Sequence, residues 1–240
     1  MCLMRIAMWS GPRNLSTAMM YAFGNRGDCA VVDEPFYAAY LAQTGLEHPM
    51  RADILESQSR DAEVVAASLL GSVPAAKPFF YQKHMTQHMI DGIPRDWMRE
   101  VTNVFLIRHP ARVIASYAEK RENPTLDDIG FRQQAELFDL VKRWDQAPVV
   151  VDSDDIRSDP AMVLERLCER LGIPFSPKML SWPMGGHKDD GIWAAHWYGS
   201  VWQSTKFAGP EGPLPEVPAT LQPVLDAALP YYERLKAQKI

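Results

Sequence analysis

Five short apolar runs, Ile6–Trp9, Cys29–Val32, Phe79–Gln82, Asn103–Ile107 and Val149–Val151, alternate along this chain with stretches of helical pattern. Each run is nearly continuous in apolar residues, so the strand it forms must be covered on both faces. A central parallel sheet with helices on either side meets that demand, because parallel neighbours need a long crossover and a helix fills it. The intervening patterns predict helices over Ser16–Phe23, Ala62–Leu70, Ala111–Lys120, Phe131–Trp144 and Ala161–Leu171. Asp159-Pro160 marks the start of the last and Gly172 its end. The expected architecture is an α/β three-layer sandwich.

At 240 residues and 47% hydrophobic side chains, the chain can bury a sizeable core and fits a single domain over 1–240. Residues 174–218 are rich in Pro, Gly and Trp without a sustained period, which predicts a long irregular segment lying over the sheet as a lid or cap. Its aromatics, Trp182, Trp193, Trp197, Tyr198 and Trp202, favour order. A final helix is expected over 219–238, kinked at Pro230.

The remaining composition narrows the function classes. No window reaches the roughly 18 apolar residues of a membrane span, and the Met1–Arg5 start lacks the order of a signal peptide, so a soluble, cytoplasmic protein with no membrane partner is expected. Cys2, Cys29 and Cys168 have neither disulfide-framework nor zinc spacing, which predicts reduced thiols and no metal. With 25 basic and 30 acidic side chains the net charge is −5, which argues against a nucleic-acid partner and leaves phosphate recognition to a local basic pocket. Oligomeric state has no signal in the sequence.

The segment RIAMWSGPRNLST, residues 5–17, runs from a strand through Gly11-Pro12-Arg13 straight into a helix start. Such a turn aims backbone N–H groups and a helix N-terminus at an anion. It is not a Walker A loop: counting from Gly11, the second Gly and the Lys are replaced by Ser16 and Thr17. The pattern Pro12-Arg13-Asn14-Leu15-Ser16-Thr17 is similar to the 5′-phosphosulfate loop of sulfotransferases, with Leu15 where that family often has Gly. A second segment, VFLIRHPARVIASY (residues 104–117), resembles the family's Arg-x-Pro-x5-Ser element, with Arg108 at a strand end and Ser116 eight residues on in the next helix. FFYQKHM (79–85) resembles the Lys-x-His segment, although His84 follows Lys83 directly and His88 offers a second imidazole nearby. Asp33-Glu34-Pro35 resembles the family's Glu-Pro. VVVDSDDI (149–156) with Leu171-Gly172-Ile173-Pro174 is similar to its later strand, acidic turn and helix end.

The resemblance implies a P-loop nucleoside-triphosphate-hydrolase-like fold of the bacterial sulfotransferase type. It also implies sulfuryl transfer from 3′-phosphoadenosine 5′-phosphosulfate to a hydroxyl or amine of a small molecule. The donor would lie on Gly11, Pro12, Arg13, Asn14, Leu15, Ser16 and Thr17 at its 5′-phosphate and on Arg108 and Ser116 at its 3′-phosphate; no metal is needed. His84 is the first candidate for the base, with Glu34 as rival or partner and His88 behind both. Arg13 and Lys83 would stabilise charge on the departing phosphate of the product, adenosine 3′,5′-bisphosphate. The competing reading is a nucleotide-binding P-loop protein, kinase-like or non-catalytic, that has lost sulfuryl transfer.

Overall fold

The computed structural model describes residues 3–118 and 124–240. Five parallel strands form one sheet: β1 (Met4–Ser10), β2 (Cys29–Asp33), β3 (Phe79–Met85), β4 (Thr102–Ile107) and β5 (Val149–Asp152). Their spatial order is β2-β3-β1-β4-β5. The helices are α1 (Ser16–Gly24), α2 (Tyr37–Thr44), α3 (Arg51–Ser57), α4 (Ala62–Leu70), α5 (Pro110–Ala118), α6 (Leu126–Ile129), α7 (Phe131–Arg143), α8 (Ser153–Ser158), α9 (Pro160–Leu171), α10 (Ala194–Trp197), α11 (Gly199–Trp202) and α12 (Gln222–Lys236). All five expected strands are present, each slightly longer than the apolar run that signalled it. Cys2 and the last two residues of the helix expected over Ala111–Lys120 lie outside the described residues.

Strand alternation sorts side chains between two cores. Ile6 and Met8 of β1, with Tyr81 of β3, Val104 of β4 and Val151 of β5, pack on one face against α1 and α9. Ala7 and Trp9, with Phe105 and Val150, pack on the other against α4, α5, α7 and α12. That is the three-layer α/β sandwich the apolar runs require. β1 has β3 on one side and β4 on the other, so the loops leaving β1 and β4 diverge above the carboxyl ends of the strands and open a crevice.

Local chemistry sets the element ends. Asp159 caps α9, accepting from the Met162 N–H at 3.0 Å, and Gly172 ends it at φ 67°, as the sequence signals indicate. The helix expected over 219–238 is a 3₁₀ turn at Ala219–Leu221 followed by α12, which continues through Pro230. The acidic turn after β5 is a short helix, α8, capped by Asp152. Neither α2 nor α3 carries a strong periodic signal; α3 buries only Ile54. Within 174–218 lie a 3₁₀ turn, Pro177–Leu180, and α10 and α11. Trp193 and Tyr198 bury themselves against α2 and α3, whereas Trp182 and Phe207 join the α1-side core. Among the described residues no helix is long and apolar enough to cross a membrane.

A Cβ placed on Gly11 would lie 2.6 Å from the Ile129 carbonyl oxygen, a backbone atom that cannot swing away. Gly11→Ala is therefore expected to cost about 1–3 kcal/mol of overpacking strain, read as a lower urea midpoint at unchanged slope.

Candidate active site

The loop after β1 enters α1 by way of Arg13, which sits at φ 55°, a region that non-glycine residues occupy at a cost of about 1–3 kcal/mol. Asn14 fixes the turn from both ends of its amide: Oδ1 accepts from the Leu15 N–H at 2.7 Å and Nδ2 donates to the Leu106 carbonyl of β4 at 3.0 Å. α1 starts without a side-chain cap and without an acidic residue in its first turn. Its leading N–H groups are thus left for another acceptor. Pro12 through Ala18 form one wall of a cavity of about 310 Å³. Leu15 belongs to that wall and also packs against the α1-side core.

Arg108, at the end of β4, joins this wall. Its Nη1 donates to the Arg13 carbonyl and its Nη2 to Glu211. Arg13 Nε in turn donates to Ser116 Oγ on α5 at 3.0 Å. Two motifs some ninety residues apart in the chain are thereby locked into one unit. Gly11 and Ser116 do not themselves form the cavity wall: Gly11 admits the close approach to α6, and Ser116 steadies Arg13.

The opposite wall carries Glu34, Lys83, Tyr37, His88 and Tyr198. Lys83 is 1% exposed, and its Nζ donates to Asp33 Oδ1 at 2.8 Å, to Glu34 Oε1 at 2.6 Å and to the Tyr198 hydroxyl. Tyr198 OH lies 2.8 Å from Asp33 Oδ2 and accepts from Trp193 Nε1 at 3.0 Å. Burial pulls the Lys83 ammonium down, but Asp33 and Glu34 outweigh it and hold its pKa above the ordinary lysine range. Burial, aided by the Asp33 charge, raises the Glu34 carboxyl against the pull of Lys83. Glu34 also sits at φ 40°, held there by its own N–H to the Lys83 carbonyl at 2.9 Å and by Gln58 Nε2 donating to its carbonyl at 3.2 Å.

Two expected roles need correction. His84 follows Lys83 on β3 and so turns to the other face of the sheet, where its ring stacks on Trp9 at 4.4 Å between centroids and touches Trp97 and Phe36. It is absent from the cavity wall, and burial drives its pKa down to about 3; it is a core histidine. Lys83 faces the cavity, but all three ammonium hydrogens are directed to protein acceptors, leaving none for a departing phosphate. Its place is to hold Glu34. His88 does line the cavity, sandwiched between the rings of Tyr37 and Tyr40 at 4.6 and 4.8 Å. Its buried Nδ1 has no hydrogen-bond partner, and burial lowers its pKa well below the usual value.

Tyr198 and Trp193 join the site from the aromatic segment after α9, Arg112 from within the Arg108 motif where the sequence gave it no role of its own, and Arg157 and Glu211 from positions without a functional signal. Lys206 reaches the cavity wall, while Lys188 is 82% exposed and paired with Asp189. The described residues contain no cluster of His, Cys, Asp and Glu placed to hold a metal ion.

A parallel sheet whose central strand β1 runs through a tight loop into α1, with an arginine following the neighbouring strand β4, defines a P-loop-like α/β fold. Solved structures of that kind are similar over nearly the whole chain. The sulfotransferase domain from the curacin biosynthetic pathway aligns at TM-score 0.56 and 15% identity, covering 96% of this chain and 98% of that one. The sulfotransferase domain of the Synechococcus PCC 7002 olefin synthase gives 0.56 and 17% over 94% of each. A sulfotransferase from Alicyclobacillus acidocaldarius gives 0.55 and 11% over 99% and 96%. Residues 4–239 match the sulfotransferase domain family, and the chain belongs to that family. It is also 35% and 33% identical, over 97% and 96% of its length, to two Arabidopsis thaliana proteins named branched-chain-amino-acid aminotransferase-like protein 1 and 2. It spans 41% of the length of each.

Because His84 titrates near 6.5 when unfolded and near 3 when folded, the unfolded chain binds the extra proton between those values, and stability falls as pH drops through that window. His88 acts in the same direction. His84→Phe is expected to flatten the fall by up to a few kcal/mol at its acid end, measured as unfolding free energy against pH. Lys83→Met strands two buried carboxylates and is expected to cost about 3–5 kcal/mol near neutral pH, with part of the loss recovered on acidification, when one carboxylate protonates.

Proposed function

We propose that this protein transfers a sulfuryl group from 3′-phosphoadenosine 5′-phosphosulfate to a hydroxyl or amine of a small acceptor. The observation that carries this reading is the hydrogen-bonded union of the Arg13 loop with Arg108 beside a cavity whose far wall presents Glu34. The residues fit a nucleotide phosphorylated at both ends of its ribose. The uncapped α1 start with Arg13, Ser16 and Thr17 suits a 5′-phosphate, and the Arg108 guanidinium already holds one anion, the Glu211 carboxylate. When bound, the donor supplies a sulfuryl group joined to its 5′-phosphate through an anhydride oxygen.

The roles of the chain's own residues follow from their surroundings. Arg13, oriented through Ser116, presents a guanidinium fork where negative charge grows during transfer. The α1 N–H groups with the Ser16 and Thr17 hydroxyls hold the 5′-phosphate, while Gly11, Pro12, Asn14 and Leu15 shape the loop. Arg108 takes the 3′-phosphate. Glu34 removes the acceptor proton at a carboxylate oxygen. Burial makes Glu34 more basic and both His84 and His88 less so, and a base must accept a proton near neutral pH. Lys83 and Tyr198 position Glu34. Cys29 and Cys168 are buried free thiols, which suits the reducing cytoplasm proposed here.

Adenosine 3′,5′-bisphosphate without magnesium should raise unfolding stability by about 2.7 kcal/mol at a hundredfold excess over its dissociation constant, and Arg108→Ala should abolish the shift. Stabilisation by ATP with magnesium alone would sink the reading. Glu34→Gln should bind the bisphosphate as the natural protein does yet lose about 10²–10⁴-fold in transfer rate, whereas His84→Phe should keep its rate; formation of sulfated product across an acceptor panel, followed by mass spectrometry, measures both.

A further inference from the structure

Three guanidiniums converge on one carboxylate. Glu211 Oε1 accepts from Arg108 Nη2 and lies 3.8 Å from Arg157 Nη1, while Glu211 Oε2 lies 3.4 Å from Arg112 Nε. All four side chains are largely buried, at 12–18% exposure. Among the described residues, this cluster sets one carboxylate against three guanidiniums. Arg108 Nε and Glu211 Oε2 are both buried without a hydrogen-bond partner, so a flat carboxylate leaves the cluster unsaturated. A phosphate monoester, with close to two charges and three acceptor oxygens, answers it better.

Among the described residues, the arginines of this cluster are what hold the segment 208–214 that carries Glu211. Ala208, Gly209, Pro210, Gly212, Pro213 and Leu214 are all exposed, and only Glu211 is drawn inward. The side-chain hydrogen bonds to their backbone come from the same arginines: Arg157 Nε to the Gly209 carbonyl at 2.9 Å, and Arg112 to the Gly212 and Pro213 carbonyls. A segment with few buried apolar contacts opens at low free-energy cost. Arg108 and Arg157 also belong to the cavity wall, which puts this cluster within reach of a ligand bound at Arg13.

We infer that Arg112 and Arg157 complete, with Arg108, the site for the donor's 3′-phosphate, and that Glu211 fills this site in the free protein as an internal competitor. Entry of the phosphate displaces Glu211 and releases residues 208–214. The inference rests on the donor assigned above. An internal competitor lowers apparent affinity by the fraction of protein whose site is open, and only for ligands that use the site.

Calorimetric titration of the full chain with adenosine 3′,5′-bisphosphate and with adenosine 5′-monophosphate tests this. Glu211→Gln should bind the bisphosphate about tenfold more tightly, equivalent to about 1.4 kcal/mol, and the monophosphate unchanged. Arg157→Gln should lose about tenfold for the bisphosphate alone. Equal bisphosphate affinity in Glu211→Gln and the natural protein, with circular dichroism intact, overturns the competitor; an Arg157→Gln loss shared by both nucleotides overturns the phosphate assignment. If no variant binds either nucleotide, the donor reading has failed, and inorganic phosphate decides the cluster separately. A phosphate-dependent rise in melting temperature that is larger in Glu211→Gln and lost in Arg157→Gln upholds it, and identical behaviour of all three proteins overturns it.

Discussion

The buried ammonium of Lys83 is the interaction on which the far wall of the cavity depends. Two carboxylates, Asp33 and Glu34, follow one another at the end of β2, and neither could stay charged at such depth without a cation between them. Parallel pairing of β2 with β3 places Asp33 opposite Lys83, so the ion cluster is a product of strand register. Its acceptors also recruit Tyr198 and, through it, Trp193, which ties the irregular segment after α9 to the sheet. Removing the charge would loosen the positively twisted turn at Glu34 and the aromatic packing together.

On the other side of the cavity the organising contact is Arg108 to the Arg13 carbonyl. A residue at φ 55° needs its backbone held from outside, and here the holder is the same arginine that presents its second nitrogen to an anion. The two halves of the proposed donor site are therefore mechanically joined. What binds at Arg108 bears on the shape of the loop at Arg13, and this linkage gives Glu211 its interest.

Much of the architecture was legible in the chain because its signals are local. Continuous apolar runs report two-sided burial, and Asp159-Pro160 with Gly172 reports the ends of α9. The Arg13 and Arg108 motifs each combine a strand end with a helix start, a geometry that short-range sequence dictates. α2, α3 and α8 escaped because one or two turns are too short for periodicity to rise above background. His84 and Lys83 were harder for a different reason. Adjacent strand residues point to opposite faces, and nothing in FFYQKHM says which face meets the cavity until the helices that cover each face are known.

The sequence by itself determined a parallel α/β sheet, a strand-to-helix loop that lacks the Walker lysine, and an arginine at the end of a neighbouring strand. Tertiary structure alone decided that His84 belongs to the core beside Trp9, that Lys83 is neutralised by Asp33 and Glu34, and that Glu211 lies among Arg108, Arg112 and Arg157. The physical reason is range. Propensity, capping and strand burial act over a few residues and leave their mark in the order of the chain. The pKa of a buried carboxylate or the occupant of an arginine cluster depends on groups a hundred residues away, brought together only when strand register and helix packing are fixed.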